Sequence, residues 1–283
     1  MVVPKTQNNR EVEVNGVRLQ YIEQGSGEPI VFVHGAPHDL RAWESVREEI
    51  AERYRFIAYT QRYFGTEPWP DEGKNYSIAT HADDLAKFIT SLNAGPVHLV
   101  GWSHGGVVSV TAAVSDPSLV RSLILYEAGV ISVLPKESPE GRIAREDFAK
   151  MFGPVGATAS EIGDFIKAAK LLQEVVFQLR PGEFNSLPED LRTVLLDNAR
   201  VVPLMFAAPR PPVVTCDMLK DFTRPTLVMR GEKTRAFWAL TSEAITKCVP
   251  GAQQVILPGV NHDGPCRDPA AFTAAVFEFL SRR

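Results

Sequence analysis

The stretch Val97-His98-Leu99-Val100-Gly101-Trp102-Ser103-His104-Gly105-Gly106 decides how the rest of the chain is read. Its first four residues form a short apolar run, the pattern of a strand covered on both faces of a parallel sheet. It then passes through Gly-x-Ser-x-Gly into residues 105–114, which carry helical periodicity. A serine on a tight strand-to-helix bend needs neighbours without side chains, and Gly101 and Gly105 supply that room. Its hydroxyl would then stand above the sheet at the positive end of the following helix. An ordinary glycine turn can match the same five-residue pattern, but it does not explain a strand before it, a helix after it and a place near mid-chain.

Similar apolar runs lie on either side: residues 30–33 (IVFV), 56–59, 119–126, 226–229 and 255–257. Between them, 40–54, 78–92, 237–248 and 269–280 carry helical spacing, and strands alternating with helices imply a doubly wound, mostly parallel α/β sheet. Residues 12–14 and 17–22 alternate around Asn15-Gly16 and read as an opening hairpin with that pair as its turn. The rhythm fails from about 132 to 219, where three helix-like segments (141–152, 159–179 and 188–207) are separated by Pro- and Gly-bearing joints. The expected organisation is a core of residues 1–131 and 220–283 with a helical cap, 132–219, inserted in it. Phe148, Phe152, Phe177 and Met205 are among the cap's apolar residues, and some of these should roof a pocket. Ala208-Pro209-Arg210-Pro211-Pro212 reads as a stiff exit linker.

With 283 residues, 45% of them hydrophobic, the chain can bury a sizeable core. Lys and Arg total 30 against 34 Asp and Glu, a net charge of −4 without a long basic run, which argues against nucleic acid as a partner. The first sixteen residues turn polar before an apolar stretch long enough for a leader or membrane span develops, so no membrane association and a cytoplasmic location are expected. Cys216, Cys248 and Cys266 are odd in number and lack CxxC spacing. Neither a disulfide framework nor a zinc site is indicated, and they are expected to be ordinary thiols.

The elbow at Ser103, the His34-Gly35-Ala36-Pro37 sequence after the third strand, and Asn261-His262-Asp263 near the C-terminus occur in the order of the α/β-hydrolase superfamily, which the chain resembles over nearly its whole length outside the cap. A serine hydroxyl is a weak nucleophile until a base takes its proton. His262, in the loop after the last strand, is the candidate base. The resemblance implies an oxyanion hole made by the backbone N–H groups of Ala36 and His104. The family's usual position for the acid, in the loop after residues 226–229, holds Thr234, which carries no charge. Glu127, at the end of strand 119–126, is favoured in its place because a rigid element positions it, with Glu232 as the alternative. Trp102 and His38 are expected to contact substrate. His34 should brace the oxyanion loop, His81 and His98 should be helix and strand residues, and His104 could either touch substrate or pack. Residues 59–65 (YTQRYFG) read as a structural turn.

The leading expectation is a serine hydrolase of a small, largely apolar ester, lactone or related carbonyl compound, with neither cofactor nor metal. Carbon–carbon bond hydrolysis of ring-fission products uses a similar Ser–His arrangement and stays open. A cofactor-free dioxygenase of a heteroaromatic ring is a second class, suggested by the Ser103-His104 pair and an acid at Glu127. A ligand receptor with a vestigial site is a third. A small-molecule partner is common to all of them, and a homodimer is compatible with each.

Overall fold

Asn15 and Gly16 both adopt left-handed backbone (φ 48° and 76°) and close the hairpin of β1 (Arg10–Val14) and β2 (Val17–Gln24), with Val14 opposite Val17. This computed structural model describes residues 9–282, with the side chains at 161 and 162 left aside. Half of the polar opening segment, its first eight residues, therefore lies outside the described residues. The hairpin joins a sheet completed by β3 (Pro29–Val33), β4 (Arg55–Tyr59), β5 (Val97–Trp102), β6 (Val120–Tyr126), β7 (Thr226–Gly231) and β8 (Gln253–Leu257). Spatial order is β1-β2-β4-β3-β5-β6-β7-β8, antiparallel from β1 to β4 and parallel beyond.

Strand progression reverses between β3, which continues outward to β4, and β5, which leads the other way. In open α/β sheets this reversal leaves a crevice beyond the carboxyl ends of the two strands. Every residue of β3 and β5 is buried, which explains why both read as continuous apolar runs. β5 and β7 run two residues further than their apolar cores, into Trp102 and Gly231, so both deliver chain directly to the crevice.

The helices that cover the sheet are α1 (Glu44–Ala51), α2 (Ile78–Ser91), α3 (His104–Ser115), α9 (Ala236–Cys248), α10 (Gly264–Arg267) and α11 (Pro269–Ser281). α1 packs beside α11, and α2 beside α3. The expected helix over 40–54 begins as a 3₁₀ turn, Leu40–Trp43, because the Asp39 side chain accepts from Arg41 N and fixes a tighter start.

Between β6 and β7 the chain forms α4 (Pro139–Ala157), α5 (Phe165–Val176), α6 (Glu189–Asp197), α7 (Val202–Ala207) and α8 (Cys216–Lys220). The expected segment 159–179 is broken at its start. A π turn over Thr158–Ile162 ends at left-handed Gly163, and Asp164 recaps the chain by accepting from Lys167 N. The segment 188–207 also divides, at Asn198, whose side chain bonds to groups outside the helix.

The reading of the cysteines needs correction, because Cys216 and Cys248 form a disulfide between the start of α8 and the end of α9. The two lie 32 residues apart in sequence, and only the fold brings their Cα atoms to 5.1 Å. Cys266 is a free thiol, pushed up to about 12 by burial and by the Asp263 and Asp190 carboxylates. Among the described residues no helix is long and apolar enough to cross a membrane.

Candidate active site

Ser103 stands between β5 and α3 with φ 54° and ψ −119°, a backbone conformation that costs an ordinary residue about 1–3 kcal/mol. The surroundings enforce it. Ser103 N donates to Tyr126 O at 3.0 Å, and a Cβ on Gly101 would lie 2.6 Å from Ser109 Oγ and 2.8 Å from Gly106 Cα. One on Gly105 would collide with the carbonyl oxygens of Val33 and His34. The glycines therefore let α3 press against β3 and β5 while the serine side chain is turned out of the sheet.

Two side chains from distant parts of the sequence complete a chain of hydrogen bonds. His262 Nε2 lies 2.9 Å from Ser103 Oγ, and His262 Nδ1 lies 2.7 Å from Glu127 Oε2. A carboxylate can only accept, so Nδ1 carries the ring proton of neutral His262, and Nε2 presents a lone pair to the Ser103 hydroxyl. Glu127 is 0% exposed, adopts φ 47°, and uses its other oxygen to accept from Gly231 N at 2.8 Å. Its position just past β6 is thus fixed by the adjoining end of β7, and Glu127 N donates to Met229 O as well. Glu232 is engaged elsewhere: its carboxylate accepts from Gly259 N at 2.8 Å and braces the turn after β8. Thr234 has a buried hydroxyl without a protein partner among the described residues.

Aromatic side chains hold the loop that carries His262. Trp102 is 1% exposed and donates its indole N–H to His262 O at 3.0 Å, so the residue expected to contact substrate lies under the base and braces it. Tyr126 OH donates to Asn261 O at 2.5 Å. On the other side Trp238 of α9 stacks on the imidazole, ring centroids 3.8 Å apart.

The loop after β3 runs past the serine, and a Cβ on Gly35 would lie 3.2 Å from Ser103 Cβ. His34 is fully buried, its Nε2 accepting from Gln61 N at 3.1 Å, while Gln61 Nε2 donates to His34 O at 2.8 Å. These bonds pin the start of the loop, and His38 N donating to Gly35 O closes the turn that contains Ala36. His104 is the first residue of α3, so its N–H has no carbonyl one turn earlier within the helix. The N–H of His104 is thus free at the start of α3 next to Ser103, and Ala36 follows Gly35 in the loop that passes the serine.

A family model described as the alpha/beta hydrolase family matches residues 30–276. The chain belongs to that family. The 2-(acetamidomethylene)succinate hydrolase of Mesorhizobium japonicum is 27% identical over 266 residues, covering 90% of this chain and 88% of the relative. The 2-hydroxy-6-oxo-6-(2'-aminophenyl)hexa-2,4-dienoic acid hydrolase of Metapseudomonas resinovorans is 24% identical over 280 residues, 97% of this chain and 91% of the relative. Among solved structures, a bromoperoxidase from Bacillus anthracis superimposes with a TM-score of 0.78 at 20% identity, over 97% of this chain and all of the other.

In this alpha/beta hydrolase His34, His38 and His104 are held neutral. Burial pushes His34 down to about 4, and pushes His38 and His104 down to about 3. His104 is half-buried: its Nε2 lies 3.2 Å from His81 Nδ1, and His81 Nε2 lies 3.2 Å from Arg62 O. Arg62 O can only accept, so His81 carries its proton on Nε2 and accepts on Nδ1 from His104 Nε2–H.

The helices between β6 and β7 are tied to both sides of the site. Asn198 Nδ2 donates to Asp39 Oδ2 at 2.7 Å, Asn198 Oδ1 accepts from Gly65 N, and Arg41 bridges Asp39 and Asp197. Near the base, Asn261 Nδ2 donates to Phe177 O at 2.9 Å. Asp147 of α4 accepts from Arg235 and from Phe237 N at the start of α9. Trp238 and Asn198 were not singled out from sequence. Helical periodicity marks such residues as buried without saying what they touch.

Proposed function

We propose that this enzyme is a serine hydrolase of a small, largely apolar ester, lactone or related carbonyl compound. The observation that carries the reading is the hydrogen-bonded series Ser103 Oγ, His262 Nε2, His262 Nδ1 and Glu127 Oε2, at 2.9 and 2.7 Å. In this reading His262 takes the hydroxyl proton as Ser103 Oγ attacks the substrate carbonyl. Glu127 holds the ring in the required tautomer and faces the imidazolium that forms. The N–H groups of Ala36 and His104 receive the oxyanion. His262 then returns the proton to the departing alcohol, and water activated by the same imidazole releases the acyl group from Ser103. Residues 132–219 serve as the cap over this cleft, and the substrate is a small molecule that needs neither cofactor nor metal.

A second reading is carbon–carbon bond hydrolysis, favoured by the relative from Metapseudomonas resinovorans, whose name gives a dienoic acid as its substrate. The cofactor-free dioxygenase is an alternative on the strength of the adjacent Ser103 and His104 and the carboxylate of Glu127 behind His262. The test is labelling with a fluorophosphonate together with turnover of a p-nitrophenyl ester panel. Stoichiometric modification of Ser103, lost in His262→Ala, and ester turnover abolished by Ser103→Ala are the expected results. Wild-type ester turnover in Ser103→Ala would refute the assignment, and turnover that requires oxygen would favour the dioxygenase.

A further inference from the structure

Asn198 joins pieces of chain that lie far apart in sequence. It stands at the C-terminal end of α6, is 0% exposed, and uses its whole carboxamide: Nδ2 donates to Asp39 Oδ2 at 2.7 Å and to Val194 O at 2.8 Å, while Oδ1 accepts from Gly65 N. Asp39 ends the loop that follows β3, and Gly65 belongs to the loop that follows β4. A residue from between β6 and β7 therefore binds these two core loops to each other as well as to itself.

Ala36 lies in the first of those loops. Its start is fixed from the second loop, by Gln61 N donating to His34 Nε2 and Gln61 Nε2 donating to His34 O. Its end is anchored at Asp39, whose buried carboxylate accepts from Arg41 N, Nε and Nη2 and from Asn198 Nδ2. Between the anchors His38 N donates to Gly35 O, and a Cβ on Gly35 would lie 3.2 Å from Ser103 Cβ. Apolar packing repeats the relation. Ala36 is half-buried against the cluster of Tyr63, Phe64, Tyr76 and Val201, and Val201 N donates to Asn198 O. An amide N–H bound to a carboxylate out of water is among the stronger hydrogen bonds, so the link from Asn198 to Asp39 is stiff.

We propose that Asn198 is a positioning residue for the oxyanion hole: through Asp39 and Gly65 it holds the loop that presents the Ala36 N–H to the substrate beside Ser103. The inference rests on the hydrolase reading. A donor displaced by a fraction of an ångström leaves the substrate bound and meets the developing oxyanion poorly, so the effect falls on the chemical step.

The test compares wild type with Asn198→Ala, which removes every bond of the carboxamide, and Asn198→Asp, which keeps an acceptor for Gly65 N and makes the contact with Asp39 repulsive. Steady-state constants are measured on p-nitrophenyl acetate, with kcat expressed per Ser103 that a fluorophosphonate titrates to completion, so that a partly folded sample is scored on its active fraction. Each variant should lose about tenfold in kcat with KM within about twofold of wild type, short of the roughly 10² to 10³ that removal of a whole oxyanion donor costs. A trifluoromethyl pentyl ketone, to whose carbonyl Ser103 Oγ adds while the hydroxyl proton passes to His262, leaves an oxyanion and should bind the variants about tenfold more weakly. Methyl pentyl ketone, which stays trigonal, should bind all three proteins alike.

Arg41→Gln loosens the same Asp39 carboxylate from its more exposed side, opens no buried gap, and should lower kcat several-fold. It decides the matter if the Asn198 variants do not fold. Unchanged kcat per titrated serine overturns the proposal. So does a loss confined to KM, or equal weakening of both ketones, since each makes Asn198 a support of the fold or of substrate binding alone. A wild type that fluorophosphonate does not label at Ser103 removes the hydrolase reading itself, whereas labelling with unaltered kcat removes only the role of Asn198.

Discussion

Trp238 lies flat against the imidazole of His262, with ring centroids 3.8 Å apart and planes inclined by 18°. Neither residue is near the other in sequence. The face of an indole attracts a cation placed over it, so under the proposed mechanism this stacking would favour the imidazolium formed when Ser103 gives up its proton. It also blocks rotation of the ring away from Glu127. Trp238→Leu should lower kcat about tenfold with little change in KM, and Trp238→Phe should recover part of the loss. Steady-state kinetics on a p-nitrophenyl ester would decide it, and an unchanged kcat in the leucine variant would remove the role assigned to Trp238.

The two glutamates near the base should respond very differently to neutralisation. Glu127→Gln replaces a buried acceptor of the Nδ1 proton with a group that can also donate, which permits the wrong tautomer of His262. A loss of roughly 10³ to 10⁴ in kcat/KM is expected, in line with loss of the acid in a triad. Glu232→Gln changes only the group that accepts from Gly259 N and should stay within about threefold of wild type. Comparable losses in the two variants would undo the choice of acid.

How much of this was legible beforehand depends on the distance over which each feature is determined. The elbow could be read because the apolar run, Gly101, Gly105 and the helix after them act within one short segment. His262 followed from its place after the last strand. Glu127 was legible as a strand-end carboxylate, whereas its bond to Gly231 N depends on the pairing of β6 with β7 and leaves no local trace. Trp102 was expected to contact substrate, but a residue beside a nucleophile can point either into the cleft or beneath it, and local sequence does not announce the bond its indole makes to His262 O. The cysteine pairing was missed for the same reason as Trp238. Both depend on where α9 lies relative to elements far away in sequence.

Acid should destabilise the fold well before its carboxylates titrate. Burial lowers His34 to about 4 and His38 to about 3, and holds His81 well below its ordinary value. In the unfolded chain these rings titrate near 6.5. Below that pH the unfolded state binds protons that the folded state does not, so stability falls as pH falls, until the folded values are reached. Each ring contributes up to about 1.4 kcal/mol per pH unit within that window. Thermal melts should therefore be level from pH 8 to 7 and decline steadily from about 6 to 4.5. A melting temperature that stays constant down to pH 5 would contradict neutral burial of these three histidines.

The Cys216–Cys248 bond ties the return of the chain from the insertion to the helix that carries Trp238. Cross-linking residues 32 positions apart restricts the unfolded chain and is worth about 4 kcal/mol in the chain-entropy treatment. For a chain of this size Cys216→Ser should lower the melting temperature by roughly 5–10 °C. Dithiothreitol should produce a similar fall in wild type and little further change in the variant. Thiol titration of the denatured chain provides the direct check: one reactive thiol, Cys266, is expected before reduction and three after it. Three thiols without reductant would show that the pair is open in solution. The base would then be held by the Asp147 contacts with Arg235 and Phe237 N and by the packing of α9, without a covalent tether at the far end of that helix.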